Sequence, residues 1–189
     1  MQCSIYPTCP TAEQALSTTW HGSTVLPPFF FSLYTEGEHL VFHARREAPA
    51  IVHPLAQPGE YREELWRYDV VELFIATPDA SRYLEFNLSP NGAWWAAGFS
   101  APRVPLPGFS AGHLDVRTRA AYSPERWQAE ARIHLAEPAE WGWRPDACRM
   151  AVCAVICRDG RYTYLTTCEQ RQGQPDFHHP WDWEAAQLA

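Results

Sequence analysis

Not one of the fifteen basic residues in this 189-residue chain is a lysine; all are arginine. Arginine-only usage follows from a GC-rich coding sequence as readily as from any site, so no function is read into it. Against those cations stand 22 acids, and the net charge of −7 argues against nucleic acid as a partner, because a phosphate backbone requires a basic footprint. No apolar run approaches the ~20 residues that cross a bilayer. The longest apolar clusters are Phe29–Phe31 and Ala151–Ile156, and no membrane partner is expected. The opening stretch, MQCSIYPTCPTAEQ, has neither a basic leader nor an apolar core segment. No secretory signal is therefore expected, and the default compartment is the cytoplasm of a bacterium.

The short motifs of covalent and metal catalysis are missing too: there is no GxSxG, no Cys/His pairing and no HExxH. A hydrolase would need two carboxylates facing one cleft, which Glu72 and Glu85 on paired strands could supply, but without a companion motif the expected class is not an enzyme. The six cysteines (Cys3, Cys9, Cys148, Cys153, Cys157 and Cys168) contain no CxxC pair of the kind that holds zinc. Cys153 and Cys157 sit four apart on a strand-like segment, roughly 13 Å at ~3.3 Å per residue, which is too far for one ion. All six are expected to be structural thiols. His178 and His179 are adjacent on an extended segment and point in opposite directions, so they are expected to hydrogen-bond and pack rings rather than share a metal. No cofactor is expected. The acids at Glu60–Glu64 and Asp79 permit calcium ligation without showing it.

What is present is apolar and aromatic: 46% and 14% of the chain, with nine tryptophans. That composition is a folded one, and the length fits one domain spanning 1–189. A surplus of tryptophan favours surfaces where one ring edge is apolar and the other reaches a partner. Seventeen prolines punctuate short strands and suit long helices badly. Strands are expected at Phe29–Tyr34 and His39–Arg45, at Val70–Ile75 and Tyr83–Leu88, and at Ala93–Phe99. Others are expected at Leu114–Tyr122 and Arg126–Leu135, and at Arg149–Cys157 and Tyr162–Thr167 around an Asp159-Gly160 turn. Trp127, Ala129, Ala131 and Ile133 share one face. Leu135–Trp141 reads as a short helical turn. The first fifteen residues or so read as extended, and 172–189 as a tail docking on the body. Nine or ten such strands argue for an all-β antiparallel β-sandwich, with a closed barrel as the alternative.

The densest signal is LWRYDVVELFIATPDASRYLEFNLSPNG, Leu65 to Gly92. Glu72 shares a strand face with Val70 and Phe74, and with Trp66 and Tyr68 upstream, which places a carboxylate among aromatics where it must be paired or serve a ligand. LWRYDVVELFI, YLEFNLSPNGAWWAAGF and the closing PDFHHP together resemble the DOMON-like proteins related to family 9 carbohydrate-binding modules, in their bacterial branch. The resemblance covers Phe29 to Leu188 and implies a jelly-roll-like β-sandwich. Those modules clamp a glycan end between two Trp rings while polar side chains hold its hydroxyls. By that resemblance Trp66 matches the first clamp ring and Glu72 the sugar-binding acid. Trp181 or Trp183 is the candidate second ring. Glu85 replaces a basic ligand, with Asn87 two residues on.

Each candidate also has a structural reading. Trp66 could plug a strand entrance. Glu72 could be ion-paired with Arg67, Arg82 or Arg103, a reading favoured slightly over sugar binding. Glu85, Asn87 and Ser89 alternate along one strand, as a polar wall or, by preference, its solvent side. Asp69 is expected to cap backbone amides. The resulting expectation is non-catalytic binding of a small saccharide at Trp66, Glu72, Glu85, Asn87 and a C-terminal Trp. The alternatives are a haem or other small-ligand module, for which Met150 would be the obvious axial residue, and a protein-partner-binding domain.

Overall fold

The computed structural model describes residues 4–6, 13–134, 147–169 and 173–188. Its strands are β1 (Ser4–Tyr6), β2 (Gln14–Thr18), β3 (Thr24–Glu36), β4 (His39–Arg46), β5 (Val70–Ala76), β6 (Tyr83–Leu88), β7 (Trp94–Ala101), β8 (Val104–Pro105), β9 (Val116–Tyr122), β10 (Trp127–His134), β11 (Cys148–Arg158), β12 (Arg161–Thr166) and β13 (Glu184–Leu188). They form two sheets, one of five strands in the order β2-β3-β4-β10-β9 and one of eight in the order β1-β13-β11-β5-β6-β7-β8, with β12 also paired to β11. Apart from the parallel β1–β13 contact, the ladders within both sheets are antiparallel. This is the expected sandwich.

Alternation explains the smaller sheet. In β10, Trp127, Ala129, Ala131 and Ile133 are buried while the residues between them are not, so one face meets the core and the other water. Asp159 and Gly160 both take positive φ, 51° and 72°, the geometry of the two-residue hairpin that an Asp-Gly pair favours. β3 starts earlier than expected because Pro27 and Pro28 fall where its pairing with β2 shifts register, between Leu16 and Thr18; there a missing N–H is tolerated. β2 and β13 are strands that alternation did not reveal. The expected helical turn at Leu135–Trp141, and Cys3 and Cys9, lie outside the described residues. Cys148 and Cys153 are buried, and Cys157 and Cys168 are partly so.

The larger sheet breaks the alternating rule at its centre. Every residue of β5 and of β6 is buried. One face, with Val71, Leu73, Leu84, Phe86 and Leu88, packs in the core between the sheets. The other is covered by a third layer: a single turn of 3-10 helix at Leu65–Arg67, and the tail through Phe177 and Trp183. The solvent reading of Glu85, Asn87 and Ser89 is therefore corrected. They are 6%, 0% and 1% exposed, because the tail lies over the face that a two-layer sandwich would leave wet.

Asp69 ties these layers together. Its buried carboxylate accepts from Cys157 N–H at 2.7 Å and from Arg158 Nη1 at 2.9 Å, and Arg158 Nη2 donates to the Pro49 carbonyl at 2.6 Å. The entry to β5, the end of β11 and the loop beneath the turn thus share one anchor, which fulfils the expected capping role. Replacing Asp69 with Ala orphans a strand amide and an arginine in a partly dry setting. We expect Asp69→Ala to lose about 3 to 5 kcal/mol, measured by urea unfolding, with Asp69→Asn losing less because it keeps an acceptor.

Candidate functional site

The outer face of β5 and β6 is the floor of a cavity of about 380 Å³, reached by Glu72 and Glu85. β7 adds Trp95 and Phe99, the turn adds Trp66, β12 adds Tyr164, and the tail adds Phe177 and His178. Arg103 stands at its edge.

Ladder register explains why the two acids converge. Glu72 pairs with Asn87, and Phe74 with Glu85, so Glu72 and Glu85 are diagonal neighbours on one face, within reach of long side chains. Glu72 is 4% exposed and forms no hydrogen bond or ion pair among the described residues. The expected internal pair is thereby corrected. Arg67 binds Glu64 at 2.9 Å instead, because the turn points it outward, and Arg103 binds Asp176 at 2.9 Å. Glu85 accepts from Asn87 Nδ2 at 3.1 Å and faces His178 Nε2 at 3.6 Å. Asn87 Oδ1 has no hydrogen-bond partner among the described residues.

A relay of polar groups positions that histidine. Arg103, held at a left-handed φ of 59°, donates its backbone N–H to the Tyr83 hydroxyl at 3.0 Å. The same hydroxyl is hydrogen-bonded to His178 Nδ1 at 2.7 Å, which turns the other ring nitrogen, Nε2, toward Glu85. Asp176 fixes the same segment, accepting from His178 N–H at 3.1 Å. Burial, then the Arg103 charge, lowers the His178 pKa to about 4, so the ring is neutral at pH 7. Burial also raises the Glu85 carboxyl to about 7. It pushes Glu72 well above the carboxylate range, reinforced by Glu85 beside it, since two like charges in a dry site disfavour joint ionisation.

Trp66 sits in the 3-10 turn rather than a strand, so strand parity does not place it; the turn does, leaving it 38% exposed. Its ring partner is Trp95, with centroids 5.0 Å apart at 66°, an edge-to-face corner rather than two parallel plates. The proposed C-terminal rings are elsewhere. Trp183 is 2% exposed and packs against Phe74 and Tyr83, and Trp181 is 53% exposed beside His179. Trp66, Glu72 and Glu85 are thus brought together, with Asn87 bonded beneath them. Trp95, Tyr164 and Phe177 were missed. For Trp95 a signal existed: in Trp94-Trp95 one ring must face the core and its neighbour must face away. Met150 lies in the core between the sheets, on the opposite face from His178, so the two do not form an axial pair. Among the described residues no group of three or more His, Cys, Asp or Glu side chains is placed to hold a metal ion, and no helix is long and apolar enough to cross a membrane.

No family model matches the sequence. Among curated proteins the chain is similar to the UPF0462 protein C4orf33 homolog of Mus musculus, 29% identical over 132 residues, covering 66% of this chain and 64% of that protein. It is also similar to the human UPF0462 protein C4orf33, 28% identical over 140 residues, covering 70% and 64%. The chain thus spans less than two thirds of the length of these relatives. Among solved structures it resembles a candidate carbohydrate-binding protein from Bacteroides uniformis, with a TM-score of 0.69 at 17% identity, covering 94% of this chain and 86% of that one. It also resembles a family 9 carbohydrate-binding module from Caldicellulosiruptor kristjanssonii, solved with cellotriose, with a TM-score of 0.63 at 12% identity, covering 94% and 82%. The same module was solved with glucose, again with a TM-score of 0.63. At these identities the likeness is one of fold, and the fold is that of a carbohydrate-binding-module sandwich.

The acids and the histidine pull stability in opposite directions. Glu85, raised from 4.5 to about 7, contributes stability that is full below pH 4.5 and lost as pH rises toward 7. His178, lowered from 6.5 to about 4, contributes stability gained as pH rises from 4 to 6.5. The two oppose each other between 4.5 and 6.5, and above that only the loss from the acids continues. We expect Glu72→Gln, which mimics the protonated acid, to match the parent at pH 4.5. At pH 8 it should be more stable by about 1 to 3 kcal/mol, a Tm gain of roughly 2–4 °C per kcal/mol, read by calorimetry at both pH values.

Proposed function

We propose that this protein binds a small saccharide, without chemistry, in the cavity over Glu72 and Glu85. The observation that carries the reading is the Trp66–Trp95 corner standing above two buried carboxylates. An indole face stacks on the flat, apolar C–H face of a pyranose, and the carboxyl groups below it hydrogen-bond the hydroxyls at the sugar's rim. At about 380 Å³ the cavity lies at the small end of the range of ligand pockets, roughly 300–1,000 Å³, which suits one or two sugar units. Support also comes from structural neighbours of this fold that are carbohydrate-binding modules, one of them solved with cellotriose and with glucose.

Binding is favoured over hydrolysis by the placement of the acids. A glycosidase sets its acid and its nucleophile or base on either side of the scissile bond. Glu72 and Glu85 rise from neighbouring strands of one sheet face and approach a ligand from the same side.

Isothermal titration with a panel of mono- and disaccharides tests this reading. A saturable isotherm is expected for at least one sugar, with affinity lowered about tenfold or more in both Trp66→Ala and Trp95→Ala, as for the loss of a central aromatic anchor. Trp181→Ala, outside the cavity, should leave it unchanged. Flat isotherms across the panel would overturn the proposal.

A further inference from the structure

We propose, resting on the saccharide reading above, that the ligand carries a free protonated amine: it is an amino sugar whose ammonium group seats on Glu72 and Glu85 against the indole corner.

Three features of the cavity converge on this chemistry. The first is an unbalanced polar inventory. Glu72 is 4% exposed, reaches the cavity and has no partner among the described residues. Glu85 has only the Asn87 amide as a close donor, at 3.1 Å, and Asn87 Oδ1 opposite Glu72 is a further unpartnered acceptor. With both acids ionised, the floor is rich in acceptors and its only nearby donors are the Asn87 amide and, at 3.6 Å, His178 Nε2. An ammonium offers three donors and no acceptor, whereas each hydroxyl of a neutral sugar brings acceptor lone pairs of its own.

The second feature is charge. The cation at the edge, Arg103, is paired with Asp176 at 2.9 Å, and His178 is neutral near pH 7 because burial lowers its pKa to about 4. Nothing else charged and positive lines the cavity; the Arg103 charge favours the ionised form of both acids, but by less than burial disfavours it, so the carboxylates keep an unmet demand for positive charge. Protons meet that demand in the empty site, and a ligand cation would displace them. The third feature is the wall. Trp66, Trp95, Phe99, Tyr164 and Phe177 present aromatic rings around the acids, and a cation beside an indole face is attracted by the ring quadrupole most strongly where water is excluded.

The test uses matched pairs that differ only in hydroxyl against ammonium: glucose and glucosamine, galactose and galactosamine, mannose and mannosamine, titrated calorimetrically into the full chain at pH 7. In at least one pair the amino member should bind about tenfold tighter or better, and in Glu72→Gln that ratio should fall to near one. Circular dichroism and the Tm verify that the variant folds, and Glu85→Gln reads the same charge should it not. A hexose that binds as tightly as its amino counterpart in every responsive pair overturns the amine assignment and leaves saccharide binding standing. A preference that survives both Gln variants overturns the assignment to these acids. Silence from all six sugars, together with a flat response to neutral disaccharides, overturns the saccharide reading and this inference with it.

Discussion

Burial of β5 and β6 on both faces is the constraint from which the outer half of the molecule follows. An antiparallel sheet in a sandwich ordinarily keeps one face wet, so its strands carry polar residues at every second position. Here those positions hold Val70, Glu72, Phe74 and Ala76 on one strand and Tyr83, Glu85 and Asn87 on the next, and all are buried. A face so composed needs a cover, and the chain provides one from both sequence directions. The 3-10 turn arrives just before β5, and the tail returns from the far end to seat Trp183 on Phe74 and Tyr83. The cavity is the gap left between those two covering pieces. Its position is a consequence of where they stop.

The same cover creates the electrostatic problem at the floor. Taking a carboxylate out of water costs several kcal/mol unless its charge is matched. Arg158 matches Asp69, and Arg103 matches Asp176. The pair of acids that faces the cavity forms no ion pair with an arginine among the described residues, and burial shifts both toward the protonated form. An isosteric pair of amides would serve packing better at neutral pH. Retaining acids at a site of stability loss is the pattern expected where function rather than folding dictates the residue.

Much of the architecture was legible in the sequence because period-two alternation and turn chemistry are local. The hairpins at Glu36-Gly37, Ser123-Glu125 and Asp159-Gly160 formed where they were expected, as did the inward stripe of Trp127, Ala129, Ala131 and Ile133. The misplaced polarity of Glu72 was legible for the same reason: it is a violation within a single strand. What alternation cannot report is whether the second face of a sheet is covered, since that depends on a segment about ninety residues away. Hence Glu85, Asn87 and Ser89 read as solvent-facing. Nor could strand parity place Trp66, whose position is set by a helical turn, or show that the tail's tryptophans lie outside the cavity while its Phe177 and His178 line it.

The geometry of the indole corner narrows what the site can hold. Two parallel rings sandwich a flat ligand from above and below and so favour stacking on both faces. Trp66 and Trp95 meet edge to face at 66°, so they do not form two parallel plates around a ligand. Affinity must then come chiefly from the opposite side of the cavity, where Glu72 and Glu85 lie. A site with no such sandwich and an acidic floor discriminates by the polar pattern of its ligand more than by ring shape. The tail contributes to that discrimination directly, because the Tyr83–His178 hydrogen bond at 2.7 Å aims the imidazole at Glu85. Any change that loosens the tail therefore alters the acid floor before it disturbs the sandwich beneath.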